Sequence, residues 1–86
     1  MWRRNMGDTN MNQDIASGYT VHFWDNNGDY VGGSDYDTEE RAEKEARNRL
    51  GMVCHGGVFT RTEVHWWASN KHSQDEMSKT LHYFEL

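Results

Sequence analysis

Residues 18–51, GYTVHFWDNNGDYVGGSDYDTEERAEKEARNRLG, decide how the rest of the chain is read. Tyr19-Thr-Val-His-Phe-Trp24 is aromatic and β-branched, which suits a half-buried pleated strand. Asn27-Gly28 tolerates positive φ at both central positions of a type I′ turn, whose twist matches the strands it joins. Tyr30-Val31 resumes the extended pattern. A two-residue loop sets Asp25 opposite Tyr30, Phe23 opposite Gly32 and Tyr19 opposite Tyr36. Alternation then puts Tyr19, Val21, Phe23, Tyr30 and Tyr36 on the core face, with His22, Trp24 and Val31 on the other. Gly32-Gly33 packs nothing and reads as a bulge.

A helix is predicted from Asp37 or Thr38. Either side chain can accept a free first-turn amide, and Asp37-x-x-Glu40 has capping-box spacing. Glu39 and Glu40 lie where the helix dipole favours negative charge. Glu40–Lys44, Glu43–Arg47 and Glu45–Arg49 are i,i+4 pairs with the acid first, each worth about 0.3–0.5 kcal/mol. Ala42, Ala46 and Leu50 form a narrow stripe that lets the helix lie close on a sheet. Gly51 suits the left-handed residue that ends it.

Beyond this stretch, Met52 to Gly57 is a connector, and Val58 to Trp67 reads as the longest strand. Its alternation groups Val58, Thr60, Thr62, Val64 and Trp66 on one face, against Phe59, Arg61, Glu63, His65 and Trp67 on the other. Ala68 to Lys71 is a polar turn. Thr80-Leu-His-Tyr-Phe-Glu-Leu86 reads as a returning strand, in preference to a short helix capped at Ser73-x-x-Glu76. Met1 to Ser17 is polar and aperiodic and reads as a disordered leader to one domain over residues 18–86. The expected class is α+β: an antiparallel sheet of about four strands with one main helix on a face, in the order ββαββ.

Eighty-six residues make one domain with a limited core. Hydrophobic content is only 35%, but the 13% that is aromatic buries much area per residue. Cys54 is the only cysteine, which excludes an intrachain disulfide framework and fits a reducing, cytoplasmic setting. No apolar run has the length of a signal peptide or a membrane span.

No catalytic motif is present. Cys54 with a nearby histidine has the elements of a nucleophile and base, but nothing else supports that chemistry, and an inert half-buried thiol is expected. His22, His55, His65, His72 and His82 include no pair at zinc-ligand spacing, so neither metal nor cofactor is expected. Gly32-Gly33 and Gly56-Gly57 lack the surroundings of a phosphate-binding loop. The chain is read as a binding protein, not an enzyme.

Charge gives the stronger signal. Asp25, Asp29, Asp35, Asp37, Glu39, Glu40, Glu43 and Glu45 are offset locally only by Arg41 and Lys44, in a chain of net charge −5. Asp29, Asp35, Asp37, Glu39, Glu40 and Glu43 are expected to face a basic groove that otherwise holds DNA or RNA, with Trp24, Trp66 and Trp67 adding exposed aromatic contacts. The alternative is a nucleic-acid-binding or adaptor module built on Arg61, Trp66, Trp67 and Lys71. An uncovered sheet face or the Gly32-Gly33 edge also suits pairing with a second copy, so the chain is expected as a monomer or homodimer.

Small, acidic, cysteine-poor, aromatic-rich domains of this kind look like phage-encoded proteins that bind and block host machinery. Over residues 37–67 the chain resembles a small anti-CRISPR protein of type I systems. The shared features are Ala42 and Ala46 at four-residue spacing, a Cys54-His55 connector, and His55-Gly-Gly-Val58 entering a strand with Arg61 and Glu63. The resemblance implies a compact antiparallel sheet with a helix, and an inhibitor that binds a host ribonucleoprotein, the crRNA-guided surveillance complex. It assigns no binding residues, because this chain is acidic where that relative is rich in Lys and Arg.

Overall fold

The computed structural model describes residues 15–73 and 75–86. Its elements are β1 (Ile15–Asp25), β2 (Tyr30–Tyr36), α1 (Glu39–Arg49), β3 (Val53–Cys54), β4 (Gly57–Asn70) and β5 (Glu76–Glu85). The fold is α+β, with one antiparallel five-stranded sheet and one helix among the described residues. The central pair is β1 and β4. β2 flanks β1, while the far side of β4 is taken by β5 and, at the start of β4, by the two-residue β3.

The first hairpin departs from the expected two-residue turn. Gly28 N donates to Asp25 O at 3.0 Å, Asp25 N donates to Asp29 O at 3.0 Å, and Gly28 has φ 85°. The Asp25 carboxylate sets this longer loop, since its Oδ1 accepts from Asn27 N at 2.9 Å and Asp29 N at 3.0 Å. Tyr30 therefore sits opposite Trp24 instead of Asp25, and the register shifts beside Gly32. That moves Tyr30 off the expected core face. Tyr19↔Tyr36 and Phe23↔Gly32 pair as expected.

A second register shift has the same origin. Trp24 pairs with Arg61 and Asp25 with Phe59, leaving Thr60 as the extra residue, and its hydroxyl donates to Asp25 O at 2.9 Å. The shift turns Phe59 onto the core face, where its ring packs 5.2 Å from that of Phe23. Simple alternation had placed it with Arg61. Next door, Asn26 Oδ1 accepts from Val58 N at 2.9 Å. A side chain at Gly56 would collide with Asp25 and one at Gly57 with Asn26, so the hairpin tip closes directly on the β3–β4 turn.

Thr38 caps α1, accepting from Arg41 N at 3.2 Å, so the capping box from Asp37 does not form and Asp37 pairs with Arg41 instead. Glu43–Arg47 and Glu45–Arg49 pair at 3.0 and 3.3 Å. Lys44 makes no ion pair among the described residues, so the expected Glu40–Lys44 pair is absent. Gly51, at φ 86°, turns the chain, and its N–H donates to Phe59 O at 2.7 Å. Ala42 and Ala46 are fully buried against Val21, Phe23, Phe59 and Val64, with Tyr19, Tyr36, Cys54 and Phe84 around them. Thr62, also fully buried, ties sheet to helix by donating to Ala46 O at 3.1 Å.

Three boundaries move. β1 begins at Ile15, so Ile15–Ser17 of the expected leader are strand, and the remainder of that leader lies outside the described residues. β4 runs on through Ala68–Asn70, and the turn starts at Lys71, where Asn70 Oδ1 accepts from His72 N at 2.9 Å and Ser73 N at 3.3 Å. The last segment is a strand, as expected, but it begins at Glu76. Past α1, the ends of β1, β4 and β5 extend with no described helix over them, and Ile15 and Met77 are exposed on the helix side.

Candidate interaction surface

α1 covers one face of the sheet, and among the described residues nothing covers the other. Register and alternation line that open face with Thr20, His22 and Trp24 from β1 and Arg61, Glu63, His65 and Trp67 from β4. Tyr30 and Asp35 join from β2, and Thr80 and Tyr83 from β5.

These side chains form a continuous layer. The Arg61 guanidinium lies 3.8 Å from the Trp24 ring centroid and 5.9 Å from that of Tyr83. The Tyr30 ring meets Trp24 edge-on at 5.4 Å. Arg61 Nε approaches Glu63 Oε2 at 3.5 Å but finds no hydrogen-bond partner. The other oxygen, Glu63 Oε1, lies 2.8 Å from His65 Nε2. The His65 ring meets His22 edge-on at 4.7 Å, and His22 Nδ1 shares a 2.7 Å hydrogen bond with the Tyr30 hydroxyl. Burial lowers the His22 pKa from 6.5, and the neighbouring His65 lowers it further. Glu63 and Asp35 pull the other way without cancelling the effect. His22 is therefore neutral at neutral pH.

A carboxylate beside an imidazole invites comparison with a catalytic relay, but the geometry is wrong for one. Thr80 Oγ1 and Glu63 Oε1 approach the same nitrogen, His65 Nε2, at 3.5 and 2.8 Å. A relay requires the orienting acid and the nucleophile on opposite ring nitrogens. Cys54 packs against the core on the other side of the sheet. Among the described residues, no three His, Cys, Asp or Glu converge to hold a metal ion. No described helix is long and apolar enough to cross a membrane.

The six acidic candidates do not form one row. Asp29 is exposed at the hairpin tip, at the far end of β2 from α1, roughly 20 Å away at strand rise. Asp35 is on the open face and accepts from Thr20 Oγ1 at 2.6 Å. Asp37 is engaged by Arg41 at 3.1 Å. Glu39 lies 2.8 Å from His82 Nε2, and Glu43 bonds Arg47 while also approaching His82 at 3.5 Å. Glu40 is exposed in the first turn of α1.

The tryptophans separate as well. Trp24 stacks with Arg61 on the open face, and Trp67 lies on that face over Gly18, where an added Cβ would be 3.0 Å from its ring. Trp66 points to the helix side, between Tyr19 and Lys79. All three are half-buried. Lys71 lies in the turn beyond β4, roughly 30 Å along the strand from Arg61. The basic candidates thus share no patch.

Tyr30 and Glu63 were not among the sequence candidates, and His22 and His65 were weighed only as metal ligands. The alternation Arg61-x-Glu63-x-His65 was legible, and so was His22-x-Trp24. Their meeting depends on the Trp24↔Arg61 register, which the Asp25 bulge sets. Comparison of the chain with protein-family models, curated proteins and solved structures gives no match.

Proposed function

We propose that this chain works by binding a partner protein through the open face of its sheet. The observation that carries this reading is the Trp24–Arg61–Tyr83 group on a face no other described element covers. Trp, Tyr and Arg are the residues that anchor protein contacts, and a guanidinium already stacked on a ring loses little freedom on binding. The net charge of −5 suits a partner with a basic surface, such as a complex that holds DNA or RNA, and occupying that surface would inhibit it. The inhibitor reading therefore stands as a proposal with its contact moved from the acidic residues to the open face.

A second reading, direct binding of single-stranded nucleic acid, draws on the same Arg61–Trp24 pair, which suits base stacking. The acids Glu63 and Glu85 beside Arg61 oppose a phosphate backbone.

The test is affinity capture from bacterial lysate with and without nuclease, comparing the parent with Arg61→Ala and with the triple reversal of Glu39, Glu40 and Glu43 to Lys. Nuclease-resistant capture of one protein, lost in Arg61→Ala and kept in the triple variant, is the expected result. Loss in the triple variant alone would return the contact to the acidic helix. Capture that disappears with nuclease, together with a shifted labelled oligonucleotide, would establish the second reading.

A further inference from the structure

The two edges of the sheet are built differently. β5 carries Glu76, Lys79 and Glu85, and its pairing with β4 shifts register beside Val64 and His65. Charges and bulges of that kind discourage another strand from adding. Over Gly32–Tyr36, β2 pairs with β1 in continuous register. Its one charged residue, Asp35, is held by Thr20 on the open face. Among the described residues, one row of β2 main-chain donors and acceptors therefore has no strand beside it, and this stretch carries no lysine, proline or bulge.

A groove of about 240 Å³ opens on the helix side at the Tyr36 end of this edge, lined by Tyr36, Arg41, Lys44, Glu45 and Asn48. Residues 41, 44, 45 and 48 lie on one side of α1. Glu45 is committed to Arg49 at 3.3 Å, and Arg41 makes only an exposed pair with Asp37. Lys44 has no ion-pair partner among the described residues, so its ammonium is open to an acidic group. Burial raises the Tyr36 pKa, and Glu45 raises it further against the opposing Arg49, Ser34 and Arg41, so the hydroxyl keeps its proton. A side chain built at Gly32 would meet nothing within 4 Å among the described residues, so the helix side of the strand is open at that position.

We propose that β2 is a docking edge for an extended peptide segment of a partner protein, which pairs its main chain with Gly32–Tyr36 and seats an acidic side chain between Arg41 and Lys44. Main-chain pairing supplies affinity for any extended sequence, and the pocket for alternate side chains supplies the preference. A second copy of this chain fits less well. On the groove side its β2 offers only Gly32, Ser34 and Tyr36, and no acid. This surface is separate from the open face, so either can fail without the other.

The experiment is an NMR titration of the ¹⁵N-labelled full chain with three short blocked peptides. One alternates valine and glutamate, one alternates valine and lysine, and one is the glutamate peptide N-methylated at every residue. The expected result is that only the first shifts amides of Gly32–Tyr36 together with Arg41, Lys44 and Asn48. Lys44→Glu, a change at an exposed position, should weaken that binding about tenfold or more. Absence of any shift at millimolar peptide would overturn the proposal. So would equal shifts from the lysine or N-methylated peptide, shifts confined to β5, or an affinity unchanged by Lys44→Glu. Sedimentation showing a dimer that blocks the same amides would assign the edge to a second copy instead and would equally overturn it.

Discussion

Replacing Asp25 by alanine should cost more than any other single change at the hairpin. Asp25 is only 6% exposed, and its Oδ1 accepts two main-chain donors, Asn27 N and Asp29 N. A hydrogen bond to a charged group contributes about 1.5–3 kcal/mol. The two bonds here share one oxygen, and the freed amides belong to exposed residues that water can reach, so their loss is less than additive. Releasing a buried carboxylate returns part of its desolvation cost. Alanine also opens a gap beneath Gly56, whose backbone rests on the carboxylate. The net expectation is a loss of about 2–3 kcal/mol. With a urea slope near 1–1.5 kcal/mol/M, the unfolding midpoint should fall by about 2 M. Asp25→Asn keeps an oxygen acceptor at Oδ1 and should lose only about 1 kcal/mol. Urea unfolding followed by tryptophan fluorescence reads both. An alanine variant within about 0.5 kcal/mol of the parent, or an asparagine variant as damaged as the alanine one, would refute the assignment of this carboxylate as the organiser of the turn.

Three further outcomes are expected. Thr62→Val keeps the shape but removes the donation to Ala46 O, and should cost about 1 kcal/mol in chemical denaturation; a neutral or stabilising result would mean the bond contributes nothing. Ala46→Leu forces methylenes into the fully buried contact with the sheet, and by about 1–3 kcal/mol should lower the melting temperature by at least roughly 5 °C. His22 is held below 6.5, chiefly by burial, so the unfolded chain takes up its proton first as pH falls. Its contribution is complete above pH 6.5 and is lost as pH drops through the folded value. Stability measured against pH should therefore fall less steeply on the acid side in His22→Gln than in the parent; an identical slope would remove His22 as a cause.

The sequence made the α+β class, the helix and the returning last strand legible because each rests on local chemistry. Thr38 and Gly51 bound the helix, and Ala42 and Ala46 mark its buried stripe. What it did not make legible follows from one residue acting at a distance. Asp25 looked like one more carboxylate in an acidic run. Its side chain instead lengthens the turn, its carbonyl takes the Thr60 hydroxyl, and the two register shifts that result turn Tyr30 outward and Phe59 inward. No periodicity argument sees a bulge caused by the partner strand. The acidic candidates scattered for a related reason, because spacing places residues along an element but not on a face shared between elements. Asp35 and Glu39 are near neighbours in sequence, yet they lie on opposite sides of the sheet.

The central place of β1 also sets the order in which the molecule can be assembled. The strand precedes the others in the described chain, but its longest pairing is with β4, which is synthesised only after the hairpin and α1. Until Phe59 and Val64 arrive, Val21, Phe23, Ala42 and Ala46 lack part of the core they pack against. The topology is rich in contacts between distant parts of the chain, so closure waits on a late segment and should be slow for a domain of this size. A chain ending at Gly51 is accordingly expected to unfold without a cooperative transition. Synthesis exposes the aromatic hairpin for as long as translation takes to deliver β4, the interval in which a chaperone or a binding partner would find it.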